Sequence, residues 1–219
     1  MPHESVFSEA AAYGVVPVIA MESVEAALPL ADALLEGGLP VVEITFRTAA
    51  AAAVIAQITR HRPALLVGAG TLLSEDNLKA AKAAGARFGV APGLNPAVVQ
   101  YAAEAGLPFI PGICTPSEIE QALGLGCRFV KFFPAETSGG AEMVKALAAP
   151  YSHVGIRFMP TGGVNTGNLE AYLAIKSVAA VGGTWIAKPE DLAGGRWQAI
   201  RDRAREAVEI VRRVRGTPP

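Results

Sequence analysis

The chain has 219 residues, 51% of them hydrophobic, and its 19 basic and 20 acidic residues leave a formal net charge of -1. This length suits one large α/β domain or two small ones, and the balanced charge argues against nucleic acid or a charged membrane surface as a partner. Two cysteines, Cys114 and Cys127, make neither a disulfide framework nor a zinc pattern, and without a signal peptide or an apolar run of membrane-spanning length we expect a cytoplasmic protein.

Short apolar runs recur along the chain at nearly even intervals. Each is rich in Val, Ile or Phe and is bounded by Gly or Pro, as buried strands are. They occupy residues 15–20, 40–46, 64–70, 87–92, 108–112, 128–133, 156–163 and 177–183. The sequence therefore predicts eight strands.

Alanine-rich segments with helical spacing lie between these strands, and N-cap residues precede several of them. The predicted N-caps are Ser23, Ser74, Asn95 and Thr115. The last predicted helix, 195–216, has an apolar face and an arginine-rich face that we expect to be solvated.

Strands that alternate with helices in a chain of this length predict an α/β protein with a (β/α)8 TIM barrel. We expect one barrel domain over residues 1–219, with an extra N-terminal helix around 3–14 at the barrel floor. A doubly wound sheet is the rival architecture. In a barrel the chemistry collects at the carboxyl ends of the strands.

The second strand carries polar residues where a buried strand should be apolar. Side chains alternate along a strand, so Glu43, Thr45 and Arg47 share one face and should point toward the barrel axis and its mouth. Buried charges are costly unless they are paired or used. A structural ion pair between Glu43 and Arg47 is one interpretation, and catalysis or ligand binding is the other. Thr71, just past the third strand, either faces the mouth or serves as a turn residue.

The sixth strand places Lys131 in an apolar run, on the same face as Phe129 and Phe133. Desolvation of an ammonium lowers its pKa and leaves free amine, which is the nucleophile for Schiff-base chemistry on a carbonyl. The sequence therefore predicts a reactive lysine. The alternative is a lysine that pairs with Glu43 across the barrel without turnover.

The seventh and eighth strands each end in a glycine pair followed by a helical segment. The pairs are Gly162–Gly163 and Gly182–Gly183. Such turns offer backbone N–H groups and helix N-termini to an anion, and in barrels these two loops commonly form a phosphate site. The pattern indicates a phosphorylated ligand.

No metal site is expected. The three histidines, His3, His61 and His153, are far apart and lie outside the strand ends, and no metal-ligand motif is present. Cys114 has no histidine near it in sequence, so a nucleophilic thiol is not expected there.

The motifs VEITFRT, VGAGT, APGLNP, FIPGICTPSE, VKFFPAE, PTGGVN and VGGTW, in this order, resemble the bacterial 2-keto-3-deoxy-6-phosphogluconate (KDPG) aldolases, which often also act on 4-hydroxy-2-oxoglutarate (KHG). The resemblance extends from about Val16 to the last helix. It implies a (β/α)8 lyase of class I, without metal or cofactor, that is usually a homotrimer. The substrate would be a phosphorylated keto acid, cleaved to pyruvate and glyceraldehyde 3-phosphate, and KHG would yield pyruvate and glyoxylate.

The resemblance also implies residue roles. Lys131 would be the Schiff-base lysine and Glu43 the general acid/base, while Arg47 and Thr71 would hold the substrate carboxylate. The expected contacts to the rest of the substrate are Phe133, Thr161, Gly162, Gly163, Gly182, Gly183 and Thr184. Thr184 is a mild departure, because the family often has serine there.

Other functions stay open on the residues alone. A phosphosugar isomerase or epimerase barrel would use Glu43 as a base and need no iminium. A non-catalytic barrel that binds a phosphorylated ligand would keep Lys131 only as a charge, and a related pyruvate aldolase would use a different acceptor aldehyde.

Overall fold

The computed structural model of the protein describes residues 2–216, in which short strands alternate with helices. The strands are β1 Val15–Ile19, β2 Val41–Thr45, β3 Leu66–Gly70, β4 Phe88–Val90, β5 Phe109–Ile110, β6 Gly112–Ile113, β7 Phe129–Phe132, β8 Arg157–Pro160 and β9 Val181–Gly183. The helices are α1 Pro2–Ala12, α2 Ala27–Glu36, α3 Ala51–His61, α4 Glu75–Ala83, α5 Pro96–Glu104, α6 Pro116–Gly124, α7 Gly140–Ala148, α8 Leu169–Leu173, α9 Pro189–Ala193 and α10 Trp197–Arg215.

The strands form a curled parallel arrangement. One sheet has the order β5-β4-β3-β2-β1-β9 and the other the order β6-β7-β8. Two isolated parallel bridges, Phe158 to Val178 and Thr161 to Gly182, link β8 to the chain around β9. The order from β1 to β5 follows the chain without the reversal of a doubly wound sheet, and β1 lies beside β9.

The predicted fifth strand is interrupted at Pro111, which separates β5 from β6. Proline has no N–H to donate to a ladder, although its carbonyl can still accept. The carbonyl of Pro111 accepts from Lys131 N at 2.8 Å. The segment 109–113 thereby takes part in both sheets, with β5 pairing to β4 and β6 pairing to β7. The predicted last strand is also shorter than expected, because only Val181–Gly183 of it is strand.

Three of the four predicted N-caps are confirmed. The side chains of Ser74, Asn95 and Thr115 accept from backbone N–H groups of the helices that follow them, and Thr115 forms a full capping box with Glu118. The prediction for Ser23 was wrong, since α2 begins only at Ala27. The Ser23 hydroxyl instead accepts from Ala26 N at 3.3 Å in the turn before the helix.

The two terminal helices pack in different ways. The predicted apolar face of α10 is confirmed, and its buried residues include Ile200, Ala204 and Val211. At α1, the Phe7 ring meets the ring of Phe129, the first residue of β7, with centroids 5.3 Å apart. α1 therefore lies against the amino end of this strand, away from the edge where the strands end. Across residues 2–216, no helix combines the length and apolar character needed to cross a bilayer.

Candidate active site

Lys131 and Glu43 meet inside the curled sheet although 88 positions separate them in the chain. Lys131 lies on β7 and Glu43 on β2, and Lys131 Nζ is 3.4 Å from Glu43 Oε1. Their residues are only 5% and 0% exposed. A buried amine beside a buried carboxylate can exchange a proton with it, which is the arrangement that nucleophilic catalysis by lysine needs.

The carboxylate of Glu43 has room because the neighbouring strand carries glycine. Thr45 pairs with Gly70 in the register of β2 and β3. A Cβ at Gly70 would lie 2.1 Å from Glu43 Oε1, which is far inside contact distance. The other oxygen, Glu43 Oε2, is buried and has no hydrogen-bond partner among the described residues. One oxygen is thus held by Lys131 while the other keeps its acceptor capacity.

The ring of Phe133 lies beside the amine of Lys131. Lys131 Nζ is 5.7 Å from the centroid of the Phe133 ring, within the range of a cation–π contact. Phe133 is 36% exposed, and Leu73 is the other exposed large hydrophobic side chain in the described part of the chain. An exposed aromatic ring beside a buried amine offers an apolar surface to a ligand that approaches the amine.

Thr45 and Arg47 follow Glu43 on the same face of β2, as alternation predicts. Thr45 is buried, and its hydroxyl donates to Ile19 O at 3.2 Å and accepts from Arg47 Nε at 3.1 Å. One interpretation of the sequence was a structural ion pair between Glu43 and Arg47. Glu43 instead pairs with Lys131. Arg47 is exposed just past the end of β2. Its guanidinium therefore remains available to an anion at the carboxyl ends of the strands.

Thr71 has an unusual backbone conformation. Its φ is 57°, and it is the one non-glycine residue with positive φ in the described range. Such conformations cost free energy for residues with a side chain and cluster at functional sites. Thr71 directly follows Gly70, so this turn places a half-buried threonine next to the glycine that faces Glu43.

The two glycine turns, which we call the distal turns, comprise residues 162–163 after β8 and residues 182–184 around the end of β9. Gly162 and Gly163 both have positive φ, at 102° and 82°. Few residues other than glycine adopt this backbone conformation readily. Gly182 allows a different close approach, because a Cβ there would lie 2.1 Å from Thr161 Oγ1. Thr161 is buried, and its hydroxyl donates to Met159 O at 3.3 Å.

The helices that follow the distal turns begin several residues after the glycine pairs. The first turn leads to α8, which starts only at Leu169, and the second to α9, which starts only at Pro189. Both helices have five residues. A helical segment does follow each glycine pair, as the sequence predicts, but neither helix adjoins its pair directly. The groups nearest to an anion at these turns are their own backbone N–H groups and the exposed Thr184 hydroxyl.

Sequence reasoning missed the contacts that hold the first distal turn. Glu136 lies against Gly163 and accepts a hydrogen bond from Tyr172, and the side chains of Asn165 and Asn168 donate to the Gly163 carbonyl. Nothing local marks Glu136 and Tyr172 as partners, because 36 positions separate them. Within residues 2–216, no group of three or more His, Cys, Asp or Glu side chains is placed to hold a metal ion.

The chain is similar in sequence to a family of known enzymes. The family model "Aldolase: KDPG and KHG aldolase" matches residues 6–203. A 2-dehydro-3-deoxy-phosphogluconate aldolase of Treponema pallidum is 46% identical over 197 residues, which make up 90% of this chain and 93% of the relative.

Solved structures agree with the family match. The KDPG aldolase of Legionella pneumophila, with pyruvate captured as a covalent carbinolamine intermediate, has a TM-score of 0.88 at 38% identity and covers 94% of this chain and 98% of its own. The 2-keto-3-deoxy-6-phosphogluconate aldolase of Zymomonas mobilis, solved with 3-phosphoglycerate, has a TM-score of 0.84 at 36% identity and covers 95% of both chains. The resemblance predicted from the motifs is confirmed, and the chain belongs to the KDPG and KHG aldolase family.

Proposed function

We propose that the protein is a class I aldolase that cleaves 2-keto-3-deoxy-6-phosphogluconate to pyruvate and glyceraldehyde 3-phosphate. The observation that carries this proposal is the buried contact between Lys131 Nζ and Glu43 Oε1 at 3.4 Å. A nucleophilic amine and an acid/base group are the two functions that Schiff-base cleavage of a keto acid requires. The names of the family relatives support the same chemistry.

The reaction begins with the amine of Lys131, which attacks the C2 ketone of the substrate. The resulting carbinolamine loses water to give an iminium, and Glu43 is the residue within reach to move the protons of this step. Lys131 is buried, with the partly exposed Phe133 ring beside its amine. Partial exclusion of water strengthens electrostatic interactions within the site.

Cleavage of the carbon chain follows. Glu43, through a water, takes the proton of the C4 hydroxyl, the C3–C4 bond breaks, and its electron pair enters the iminium to form an enamine of pyruvate on Lys131. The aldehyde leaves as glyceraldehyde 3-phosphate. Protonation at C3 and hydrolysis release pyruvate and restore the amine. Since the iminium accepts the electrons, the proposed route uses neither metal nor cofactor.

The remaining site residues hold the two ends of the substrate. The guanidinium of Arg47 suits the carboxylate beside the reacting ketone, because a planar fork of donors matches a carboxylate in bidentate fashion. Its Nε bond to Thr45 fixes the direction of the side chain, and Thr71 adds a hydroxyl. The distal turns receive the phosphate, and the relative solved with 3-phosphoglycerate supports a phosphorylated ligand for this family.

Three further features belong to the proposal. KHG lacks the phosphate and is a second substrate, cleaved to pyruvate and glyoxylate. The link from β8 to β9 and the shared segment 109–113 support a closed (β/α)8 ring as one domain, with α1 as an extra helix. We also expect a homotrimer, on the family resemblance.

The test is to trap the lysine. The protein is incubated with pyruvate and borohydride, its intact mass is measured, and peptides are mapped, while cleavage of KDPG and KHG is assayed in parallel. We expect one reduced pyruvyl group, on Lys131, together with pyruvate release. Isomerisation or epimerisation of a phosphosugar without trapping would contradict the proposal, as would ligand binding without turnover. Trapping on Lys176 or Lys188 would contradict the assignment of the nucleophile.

A further inference from the structure

A tyrosine and a glutamate form a contact beside the first distal turn that the mechanism above does not use. The phenol of Tyr172, on α8, donates to Glu136 Oε1. Tyr172 is fully buried, whereas Glu136 is exposed at the start of the short 3-10 helix Glu136–Ser138, which follows β7. Burial first, and then the hydrogen bond to Glu136, raise the pKa of Tyr172 above its ordinary value. The phenol thus stays protonated and acts as a donor.

Glu136 is also the residue against which the first distal turn packs. A Cβ at Gly163 would lie 2.6 Å from Glu136 Cγ and 2.7 Å from its Cβ. The backbone N–H of Glu136 donates to Gly162 O at 3.0 Å, and that of Ala135 donates to Thr161 O at 2.8 Å. The first distal turn is therefore bound to the segment that follows β7, and a shift of Glu136 would also shift Gly162 and Gly163.

Two asparagines hold the opposite side of the same turn. Asn165 Nδ2 and Asn168 Nδ2 donate to Gly163 O at 3.1 and 3.2 Å, and Asn168 Oδ1 accepts from Asn165 N at 2.8 Å. With the carbonyl of Gly163 held by these side chains and that of Gly162 held by Glu136, the peptide planes of the turn have little freedom to rotate. Their N–H groups are pre-oriented rather than ordered on binding, and such preorganisation increases affinity.

We propose that the Tyr172–Glu136 contact is a positioning device for phosphate recognition: it sets the distance and orientation of the 162–163 turn relative to Lys131. This inference rests on the proposed function, and it adds residues with no assigned role. A carboxylate near a phosphate dianion repels it, so Glu136 is not a phosphate ligand. Glu136 instead connects three parts of the chain: the segment after Lys131, the 162–163 turn and α8.

The experiment compares phosphorylated and unphosphorylated substrates. Tyr172→Phe and Glu136→Ala each remove the hydrogen bond, and each is expected to lower kcat/KM for KDPG about tenfold, mainly through KM, because a hydrogen bond to a charged group contributes on this order. KHG has no phosphate, so its kcat/KM should change less than twofold. Glu136→Gln keeps an oxygen that accepts from Tyr172, and this variant should recover kinetics within about twofold of the wild type.

The chain offers a matched control in a second tyrosine–glutamate pair. Tyr151 donates to Glu120 Oε1 at 3.0 Å in an exposed contact with α6. Tyr151→Phe should leave both substrates unaffected. The double variant Tyr172→Phe/Glu136→Ala should lose no more than Glu136→Ala alone, because the hydrogen bond that Tyr172→Phe removes is already absent in that variant.

The possible failures are distinguishable. Equal losses on KDPG and KHG, or a lower melting temperature with unchanged kinetics, would overturn the positioning role and leave a structural contact. The two Glu136 variants replace Tyr172→Phe if it does not fold. The positioning role is then overturned if Glu136→Gln does not restore the preference for KDPG that Glu136→Ala loses. Absence of pyruvate trapping in the wild type would instead contradict the proposed function. A wild type that prefers KHG would contradict the phosphate assignment of the distal turns.

Discussion

The Lys131–Glu43 pair and the distal turns are built from different parts of the chain. The pair consists of two side chains on strands β7 and β2, both buried. The distal turns are glycine-rich segments at the ends of β8 and β9, in which Gly163 and Thr184 are exposed. The first region offers side chains in a buried interior, whereas the second offers backbone N–H groups and a hydroxyl at the rim.

We infer from this difference that two tasks of the proposed site are divided between the two regions. Reaction at a carbonyl needs a specific amine and a specific acid, and a strand fixes both by its alternation and register. Recognition of a phosphate needs several donors that converge, and a turn with positive φ supplies them from the backbone. The pair should therefore govern all substrates, while the turns should govern only those with a phosphate. The predictions below test this division, in decreasing order of expected effect.

The largest loss is expected at Lys131. Lys131→Arg retains a cation but has no nucleophilic amine, so cleavage of both KDPG and KHG should fall by about 10⁴-fold or more. Borohydride trapping with pyruvate should disappear, as measured by intact mass. The control is Lys145→Arg, since Lys145 forms an exposed pair with Glu142 at 2.7 Å and should not affect activity. Residual trapping in Lys131→Arg would show that another amine reacts.

Glu43→Gln should give the next largest loss. The amide has the same shape but cannot take a proton, and loss of general acid/base catalysis typically costs about 10²- to 10⁴-fold. We expect kcat to fall by about 10³-fold on both substrates, measured by pyruvate release. Glu142→Gln, at the exposed pair, is the matched control. A loss confined to the phosphorylated substrate would contradict the division between the two regions.

Thr184→Asp should separate the substrates. The new carboxylate would repel a phosphate dianion at the distal turns, so kcat/KM for KDPG should fall about a hundredfold, while KHG cleavage and pyruvate trapping should change little. Gly163→Asp is a poorer probe, because φ is 82° there and the added Cβ would meet Glu136. Ser152→Asp adds the same charge at an exposed position outside both regions and is the control. Equal losses on both substrates would show that Thr184→Asp disturbs the fold or a different site.

Much of this site was predictable because it depends on local rules. Alternation along β2 placed Glu43 and Thr45 on one inward face, and both are buried. The apolar run around Lys131 marked a strand with an unusual lysine, and the structure has Lys131 on β7. The caps at Ser74, Asn95 and Thr115 follow from the residues next to them. In each case the residues that determine the outcome are neighbours in the sequence.

The features that were missed depend on residues distant in the sequence. The break at Pro111 arises because one segment pairs with both β4 and β7. The Tyr172–Glu136 contact joins elements separated by 36 positions. The positive φ of Thr71 is equally hidden, since nothing in its residue type requires it. The pattern of neighbouring residues does not predict which distant side chain will contact a turn. The distal turns are held in place by contacts of this kind.

The smallest of the four effects is expected at Gly70, where the predicted change tests how closely the Lys131–Glu43 pair depends on its surroundings. Gly70→Ala would place a Cβ 2.1 Å from Glu43 Oε1, so the carboxylate must shift away from Lys131. We expect kcat to fall about tenfold on both substrates, because a misplaced catalytic group loses rate steeply with distance. The free energy of unfolding should fall by about 1–3 kcal/mol from overpacking, measured by denaturant titration.

Gly124→Ala is the matched control for this substitution. Gly124 is the last residue of α6, and a Cβ there would meet nothing within 4 Å. Alanine is favoured over glycine in a helix, so this variant should be as active as the wild type and up to about 1 kcal/mol more stable. A Gly70→Ala enzyme with full activity would mean that Glu43 acts from a position other than the one beside Lys131. A Gly70→Ala loss restricted to KDPG would mean that the pair and the distal turns are coupled, because the added methyl group faces Glu43.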